Sequence, residues 1–376
     1  MAKYDFLVVG AGLSGSILAE RIASELNKKV LIIEKRNHIA GNCFDFLNEK
    51  NILVHQYGPH AFHTNMKHVW DYLSQFTQWY NYEHKVLAFI NGEKVPIPFN
   101  LNSIEQIFEK DKAEKFKLEL INTFGLEKKI PILKLKETSN ILLKELADFI
   151  YNFVFYGYTV KQWGLTPEEL DFSVTSRVPI FVSRDNRYFQ DTYQGIPLRG
   201  YTKMIENILN HPNIVIKLNT DYKKIINDID YDIMIYTGPI DYFFNYKFGK
   251  LPYRSLRFEF KTLKQEFFQP VAQVNYPNNH QYTRITEFKH FLNQKNQFTT
   301  ISYEYPEDYV SGANEPYYPI PRAENNELYK KYYEETKKLE GKVFFVGRLA
   351  EYKYYNMDQI VGVALKVFKE RIQVLF

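Results

Sequence analysis

Three glycines and an acid offer the first chemistry in this chain. In Gly10-Ala11-Gly12-Leu13-Ser14-Gly15 the glycines have the spacing of a dinucleotide-binding turn, and Glu34 lies 19 residues beyond the last of them. Gly10 permits a tight turn, Gly12 lets the backbone approach a pyrophosphate, and Gly15 lets a helix pack closely on a strand. A helix that starts here presents free N–H groups to phosphate oxygens, and Glu34 can accept from ribose hydroxyls. The surroundings agree. An apolar run at 6–9 precedes the turn, Ile17, Leu18, Ile22 and Ala23 keep helical spacing, and a second apolar run at 30–33 leads into Glu34. The pattern alone does not choose between NAD and FAD.

Two later segments favour FAD. Residues 231–236 read as a strand ending in a turn at Gly238, and 342–346 as another strand. Residues 358–371 then form an amphipathic helix with Ile360, Val361, Ala364, Leu365 and Phe368 on one face. A strand and helix that return late in the chain suit a flavin ring, because the positive N-terminal end of the helix complements the charge that reduction places there.

Cationic and aromatic residues recur in short segments between these ends. They include Gly58-Pro59-His60-Ala61-Phe62-His63-Thr64, Gly157-Tyr158-Thr159-Val160-Lys161-Gln162-Trp163-Gly164, Ser176-Arg177-Val178-Pro179 and Asn186-Arg187-Tyr188-Phe189. Further on come Tyr282-Thr283-Arg284-Ile285, Glu315-Pro316-Tyr317-Tyr318-Pro319, and Gly347-Arg348 followed by Tyr354-Tyr355-Asn356-Met357. In kind and in order, across almost the whole chain, these segments resemble the UDP-galactopyranose mutase family.

The resemblance implies a flavoenzyme that interconverts pyranose and furanose forms of a nucleotide-linked sugar, with UDP-galactose as the first expectation. Reduced FAD would supply the nucleophile, through N5, that displaces the diphosphate from the anomeric carbon. Arg177 and Arg284 match the arginines that stabilise the leaving diphosphate, a task suited to fixed guanidinium groups. Arg177 falls in a segment like the family's mobile lid. Tyr188, Tyr317 and Tyr354 match phosphate-binding tyrosines, Trp163 the aromatic beside the sugar, and Tyr158 the one that stacks on the base. His60 and His63 match histidines beside the flavin. The cofactor set implied is Gly10, Gly12, Leu13, Ser14, Gly15, Glu34, Lys35, Asn42, His60, Arg348, Asn356 and Met357. The chain departs from the family at Ala61, where Ile is usual, at Asn356, where Asp is usual, at Tyr156, where Lys is usual, and at His84, where Asn is common. These departures leave UDP-N-acetylgalactose, or a deoxy sugar on another nucleotide, as an alternative substrate. A flavin oxidoreductase, or a flavin-bound protein without catalysis, is the alternative function.

The fold implied is α/β: a Rossmann-like FAD-binding domain with an inserted helical domain and an antiparallel β-sheet domain. The FAD-binding domain is expected over 1–80, 196–245 and 325–376, the helical domain with its lid over 101–180, and the sheet over 81–100, 181–195 and 246–324. Within the helical part, Ser103 and Gln106 have capping-box spacing, as do Thr166 and Glu169 with Pro167 between them. Residues 140–155 predict a helix that buries Ile141, Leu142, Leu146, Phe149, Ile150 and Phe153. Residues 256–260 and 298–305 alternate as strands do.

Composition narrows the partners. The 376 residues suit two or three domains. A net charge of +4 with both signs scattered leaves no basic stripe for nucleic acid, while a mild positive field favours a pyrophosphate. The 30 Tyr and 30 Phe offer faces for sugars and bases, although a Phe-rich core and codon bias account for such an excess equally well. Cys43 is the only cysteine, which excludes an intrachain disulfide and fits a cytoplasmic setting. No run of 18 apolar residues predicts a membrane span. A nucleotide-sugar substrate, a homodimer and no metal are expected.

Overall fold

The computed structural model describes residues 3–171 and 178–376. The chain divides into two compact units, the first built from Met1–Tyr82, Asp191–Tyr253 and Pro316–Phe376, the second from Glu83–Gln190 and Arg254–Glu315.

A five-stranded parallel sheet forms the centre of the first unit, in the order Ile214–Lys217, Val30–Ile33, Lys3–Val9, Asp230–Tyr236, Val343–Phe345. Val9 lies opposite both Ile33 and Tyr236. The middle strands are apolar at successive positions because both faces of a parallel sheet are covered. Phe6, Leu7, Val8, Val30 and Ile32 are accordingly fully buried. The helix Leu13–Leu26 buries Ile17, Leu18, Ile22 and Ala23 and ends at Asn27 in the left-handed conformation. Against it pack Tyr201–Leu209 and the closing helix Met357–Val367. That closing helix starts at an Asn356 cap reciprocated by Gln359 and buries Ile360, Val361 and Ala364. Its last predicted turn widens into a π-turn, Phe368–Ile372. A small antiparallel sheet joins Phe62–Thr64, Tyr193–Pro197 and Trp79–Asn81.

The second unit holds the helical segment together with six strands of a larger sheet, in the order Tyr253–Leu263, Thr299–Asp308, Arg284–Glu287, Gln273–Asn275, Val86–Ile90, Glu93–Ile97. Every pairing is antiparallel except that of Gln273–Asn275 with Val86–Ile90, which is parallel. The expected capping box at Ser103 is displaced. Asn100 is the cap of Leu101–Ile107, and Ser103 is the residue that reaches back to the Asn100 amide, at 3.1 Å. Asn is as strong a cap as Ser, so a second candidate three residues upstream competes on equal terms. The box at Thr166 forms but closes a single three-residue turn, Pro167–Glu169.

The predicted 140–155 helix is capped by Asn140, runs as Ile141–Ile150, widens into a π-turn at Tyr151–Tyr156 and resumes as Gly157–Trp163. Its buried face is Leu143, Leu146, Ala147, Ile150, Tyr151 and Val154. Ile141 is instead 87% exposed and Phe153 37% exposed. Ile141 shares a helical line with Glu145, Asp148 and Asn152, which keeps it on the wet side. Among the described residues, no helix is long and apolar enough to cross a membrane.

Candidate functional site

In the first unit the glycine turn is built by steric necessity. Gly10 has φ +105°, and a Cβ there would lie 2.1 Å from Thr237 Oγ1. A Cβ on Gly15 would lie 2.0 Å from the Gly10 carbonyl oxygen. Gly12 faces Gly41, whose Cβ would come within 3.0 Å of the Gly12 Cα. No side chain caps the helix that starts at Leu13 and no acid sits in its first turn, so its N-terminal end suits an anion. Glu34 is buried behind the turn. Its carboxylate accepts from the Ala11 and Arg36 amides, each at 2.9 Å, which fixes the turn and leaves lone pairs for hydroxyl donors. Asn42 accepts from Arg36 at 3.0 Å, and that guanidinium lies 4.4 Å from the centre of the Tyr57 ring. Lys35 is exposed.

The late segments converge on the same turn. Gly347 takes φ +106°, and a Cβ there would be 2.7 Å from Ser14 Oγ. Next to it, Arg348 donates to the carbonyls of Tyr355 at 2.8 Å and Tyr317 at 3.3 Å and lies over the rings of Tyr318 and Tyr354. Tyr317 is buried. Met357 Sδ is 3.5 Å from Cys43 Sγ, and burial pushes the Cys43 thiol up to about 12, so it stays protonated.

The two site histidines have assigned tautomers. His60 Nδ1 is 2.8 Å from the Gly58 carbonyl and must carry the proton to donate to it. Its amide donates to His55 Nδ1 at 3.0 Å. Complete burial, helped by the neighbouring His60, holds His55 neutral, at about 3. His63 Nδ1 donates to Asp191 at 2.8 Å, and Asn65 holds the other Asp191 oxygen at 2.7 Å. Thr64 donates to Asp358, in the first turn of the closing helix, at 3.0 Å. This cradle fits a dinucleotide flavin: glycines where phosphates must approach, an uncapped helix end, an acid for ribose, and histidines beside the closing helix.

The second unit carries a separate cluster. Arg284 Nη2 donates to the Tyr158 hydroxyl at 2.7 Å, and its Nε lies 3.0 Å from Glu304, which is almost fully buried. The Thr283 hydroxyl donates to Glu304 at 3.1 Å. The guanidinium is thus held by an ion pair with one carboxylate and a hydrogen bond to one phenol. Trp163 is buried at the end of the Tyr158 helix, where Arg254 Nε caps the Gln162 carbonyl at 3.0 Å. Tyr188 packs edge-on to His84 with ring centres 5.7 Å apart, and its amide donates to the His84 carbonyl at 2.7 Å. Arg177 lies outside the described residues.

Comparison with known proteins gives the family. A family model described as UDP-galactopyranose mutase matches residues 153–354, and one described as an NAD(P)-binding Rossmann-like domain matches residues 8–76. A UDP-galactopyranose mutase of Mycoplasma genitalium is 37% identical over 382 residues, covering 97% of this chain and 94% of that protein. The chain belongs to the UDP-galactopyranose mutase family. Within reach of the same family stands a dTDP-fucopyranose mutase of Escherichia coli, 34% identical over 367 residues and covering 96% of each chain. The crystal structure of a reduced UDP-galactopyranose mutase has the same fold, with a TM-score of 0.76 at 16% identity, covering 100% of this chain and 95% of that one.

Asp191, Glu304, Asp358 and Lys161 are the residues that sequence reading did not single out for this family member. Lys161 stands inside the Gly157–Gly164 segment but was given no role there; the other three are single acids, and each of the four acquires its partner only through folding. His63 and Asp191 are 128 positions apart.

Proposed function

We propose that the chain is a flavin-dependent mutase that interconverts the pyranose and furanose forms of a nucleotide-diphosphate sugar, with UDP-galactopyranose the first substrate to test. The observation that carries this is Arg284, fixed by Glu304 and Tyr158 in a chain whose other unit holds a dinucleotide cradle. The cradle is assigned to FAD, held by the turn at Gly10, Gly12, Leu13, Ser14 and Gly15 with Glu34, Lys35, Asn42, Arg348, Asn356 and Met357. When bound and reduced, the flavin supplies the nucleophile for the anomeric carbon. The protein's own residues do the rest. Arg284 stabilises charge on the departing diphosphate. Tyr158 and Trp163 offer aromatic faces, and Tyr188, Tyr317 and Tyr354 offer hydroxyls to phosphate oxygens. His63 is anchored through Nδ1 by Asp191, which fixes the orientation of its ring, while His60 donates through Nδ1 to its own chain. Arg177 is assigned the second diphosphate contact.

A second reading concerns the sugar alone. A relative named for dTDP-fucopyranose is nearly as similar as the one named for UDP-galactopyranose, so a deoxy sugar on another base, or UDP-N-acetylgalactose, is the alternative substrate. We further assign the enzyme to the cytoplasm, to a homodimer and to the supply of furanose for a surface polysaccharide.

The test is product analysis after incubating the reduced protein with a panel of nucleotide sugars. Conversion without consumption of a hydride acceptor supports the mutase; net oxidation of substrate supports a flavin oxidoreductase instead. In the same assay Arg284→Ala is expected to lower turnover by two to three orders of magnitude, or about 3–4 kcal/mol, with the flavin still bound. Near-normal turnover removes Arg284 from the site.

A further inference from the structure

Lys161 stands three residues after Tyr158 on the helix Gly157–Trp163, and its ammonium is inserted into a loop of the neighbouring hairpin. Nζ lies against the carbonyl oxygen of Tyr276 and within 3.2 Å, 3.0 Å and 3.2 Å of those of Asn278, His280 and Tyr282. Four carbonyls from alternate residues of one loop converge on a single ammonium with three protons, a cation site filled by a side chain. The loop joins the strand Gln273–Asn275 to Arg284–Glu287, so Arg284 follows Tyr282 by two residues. Two other contacts press the loop on the same helical segment. Asn278 Nδ2 donates to the Phe153 carbonyl at 3.1 Å, and a Cβ on Gly157 would sit 2.4 Å from the Pro277 carbonyl oxygen.

We propose that Lys161 is a positioning residue: by gathering the 276–282 carbonyls it docks the hairpin on the Tyr158 helix and so fixes the Arg284 guanidinium against the Tyr158 hydroxyl. The proposal rests on the reading of Arg284 as the diphosphate-binding arginine. A lysine suits the role because four inward-pointing carbonyls would otherwise repel one another, and a compact ammonium fits a cage that a planar guanidinium does not. Strand pairing fixes the Arg284 backbone, but the Arg284–Tyr158 contact depends on where the helix lies.

The experiment measures UDP affinity of the flavin-loaded full chain for wild type, Lys161→Met, Arg284→Ala and the double variant, alongside amide hydrogen exchange across 276–282. Lys161→Met is expected to weaken UDP at least tenfold, speed exchange in the loop and leave flavin content unchanged. In the Arg284→Ala background the same change is expected to alter UDP affinity by less than about twofold, because Lys161 acts through Arg284. A folded Lys161→Met chain that binds UDP as wild type does, or effects of the two substitutions that multiply, overturns the proposal. Normal UDP binding by Arg284→Ala sinks the diphosphate reading itself, and any Lys161 effect then runs by another route, which also overturns the proposal. Should Lys161→Met fail to fold, Asn278→Ala loosens the same loop from its exposed side: weaker UDP binding and faster exchange support the clamp, and unchanged UDP binding refutes it.

Discussion

His55 shows how a single buried group ties the first unit to pH. Its Nδ1 accepts from the His60 amide, and burial lowers it from 6.5 to about 3. Between those values the unfolded chain takes a proton that the folded chain refuses. Stability is therefore complete above about 6.5 and falls as the pH drops from there towards 3, by about 1.4 kcal/mol per unit once well below 6.5. Thermal unfolding measured from pH 7 to pH 5 is expected to be markedly less pH-dependent in His55→Gln; equal slopes would place the titrating group elsewhere. Ala61, half-buried beside His60, belongs to the same scale. The resemblance implies Ile at this position, so Ala61→Ile is expected to change the ratio of kcat/KM for UDP-galactose against a deoxy or N-acetyl sugar nucleotide by more than about threefold, or some 0.6 kcal/mol. A smaller change shows that the pocket is set by other side chains. At this scale the sequence offered candidates wherever a residue sat in a motif, as at His60, Arg284 and Arg348. It was silent on Asp191 and Glu304, because the carboxylate that orients a histidine or an arginine leaves no trace in local spacing.

At the scale of elements, short-range geometry was readable and choice of face was not. The glycine turn was legible because its requirements are all local: a positive φ at Gly10, and no room for a Cβ at Gly15. Gly15→Ala would place a methyl group 2.0 Å from a backbone oxygen that no rotamer can move away. It is expected to yield a protein with little flavin absorbance and a lowered Tm, and a fully flavin-loaded variant would show that the helix can slide on its strand. The 140–155 helix was found but its inner face was taken a step round the axis from its first turn, where Leu143 rather than Ile141 is buried, because Leu143, Leu146, Ala147 and Ile150 form as good an apolar line as the one expected. The capping box moved because Asn100 and Ser103 are both good caps, and only the buried hydrogen bonds decide between them. The parallel pairing of Gln273–Asn275 with Val86–Ile90 joins strands distant in sequence, which alternation alone cannot reveal.

On the scale of the whole molecule, the first unit is assembled from three stretches of chain and the second from two. The sequence reading expects a discontinuous first domain because it places the fingerprint and the late strand and helix, separated by other material, in one domain. Residues 1–253 contain the fingerprint but lack the strand Val343–Phe345 and the closing helix that covers Leu13–Leu26. That fragment is expected to show no cooperative thermal transition by circular dichroism and to retain no flavin. A cooperative melt would show that the late elements complete the site without holding the fold.

The pairing of Val9 with Tyr236 also sets a timetable for synthesis. Roughly 230 residues must leave the ribosome after the first strand before its central neighbour exists, which at about 5–20 residues per second is a wait of roughly 10–45 s. Throughout that interval Lys3–Val9 has Val30–Ile33 on one edge and nothing on the other, and the closing helix that packs on Leu13–Leu26 has yet to be made. The nascent chain therefore exposes a strongly apolar strand edge for far longer than a contiguous nucleotide-binding domain would, which makes it a natural client for chaperones that hold unfinished chains, and makes slow translation or low temperature during expression a direct lever on yield.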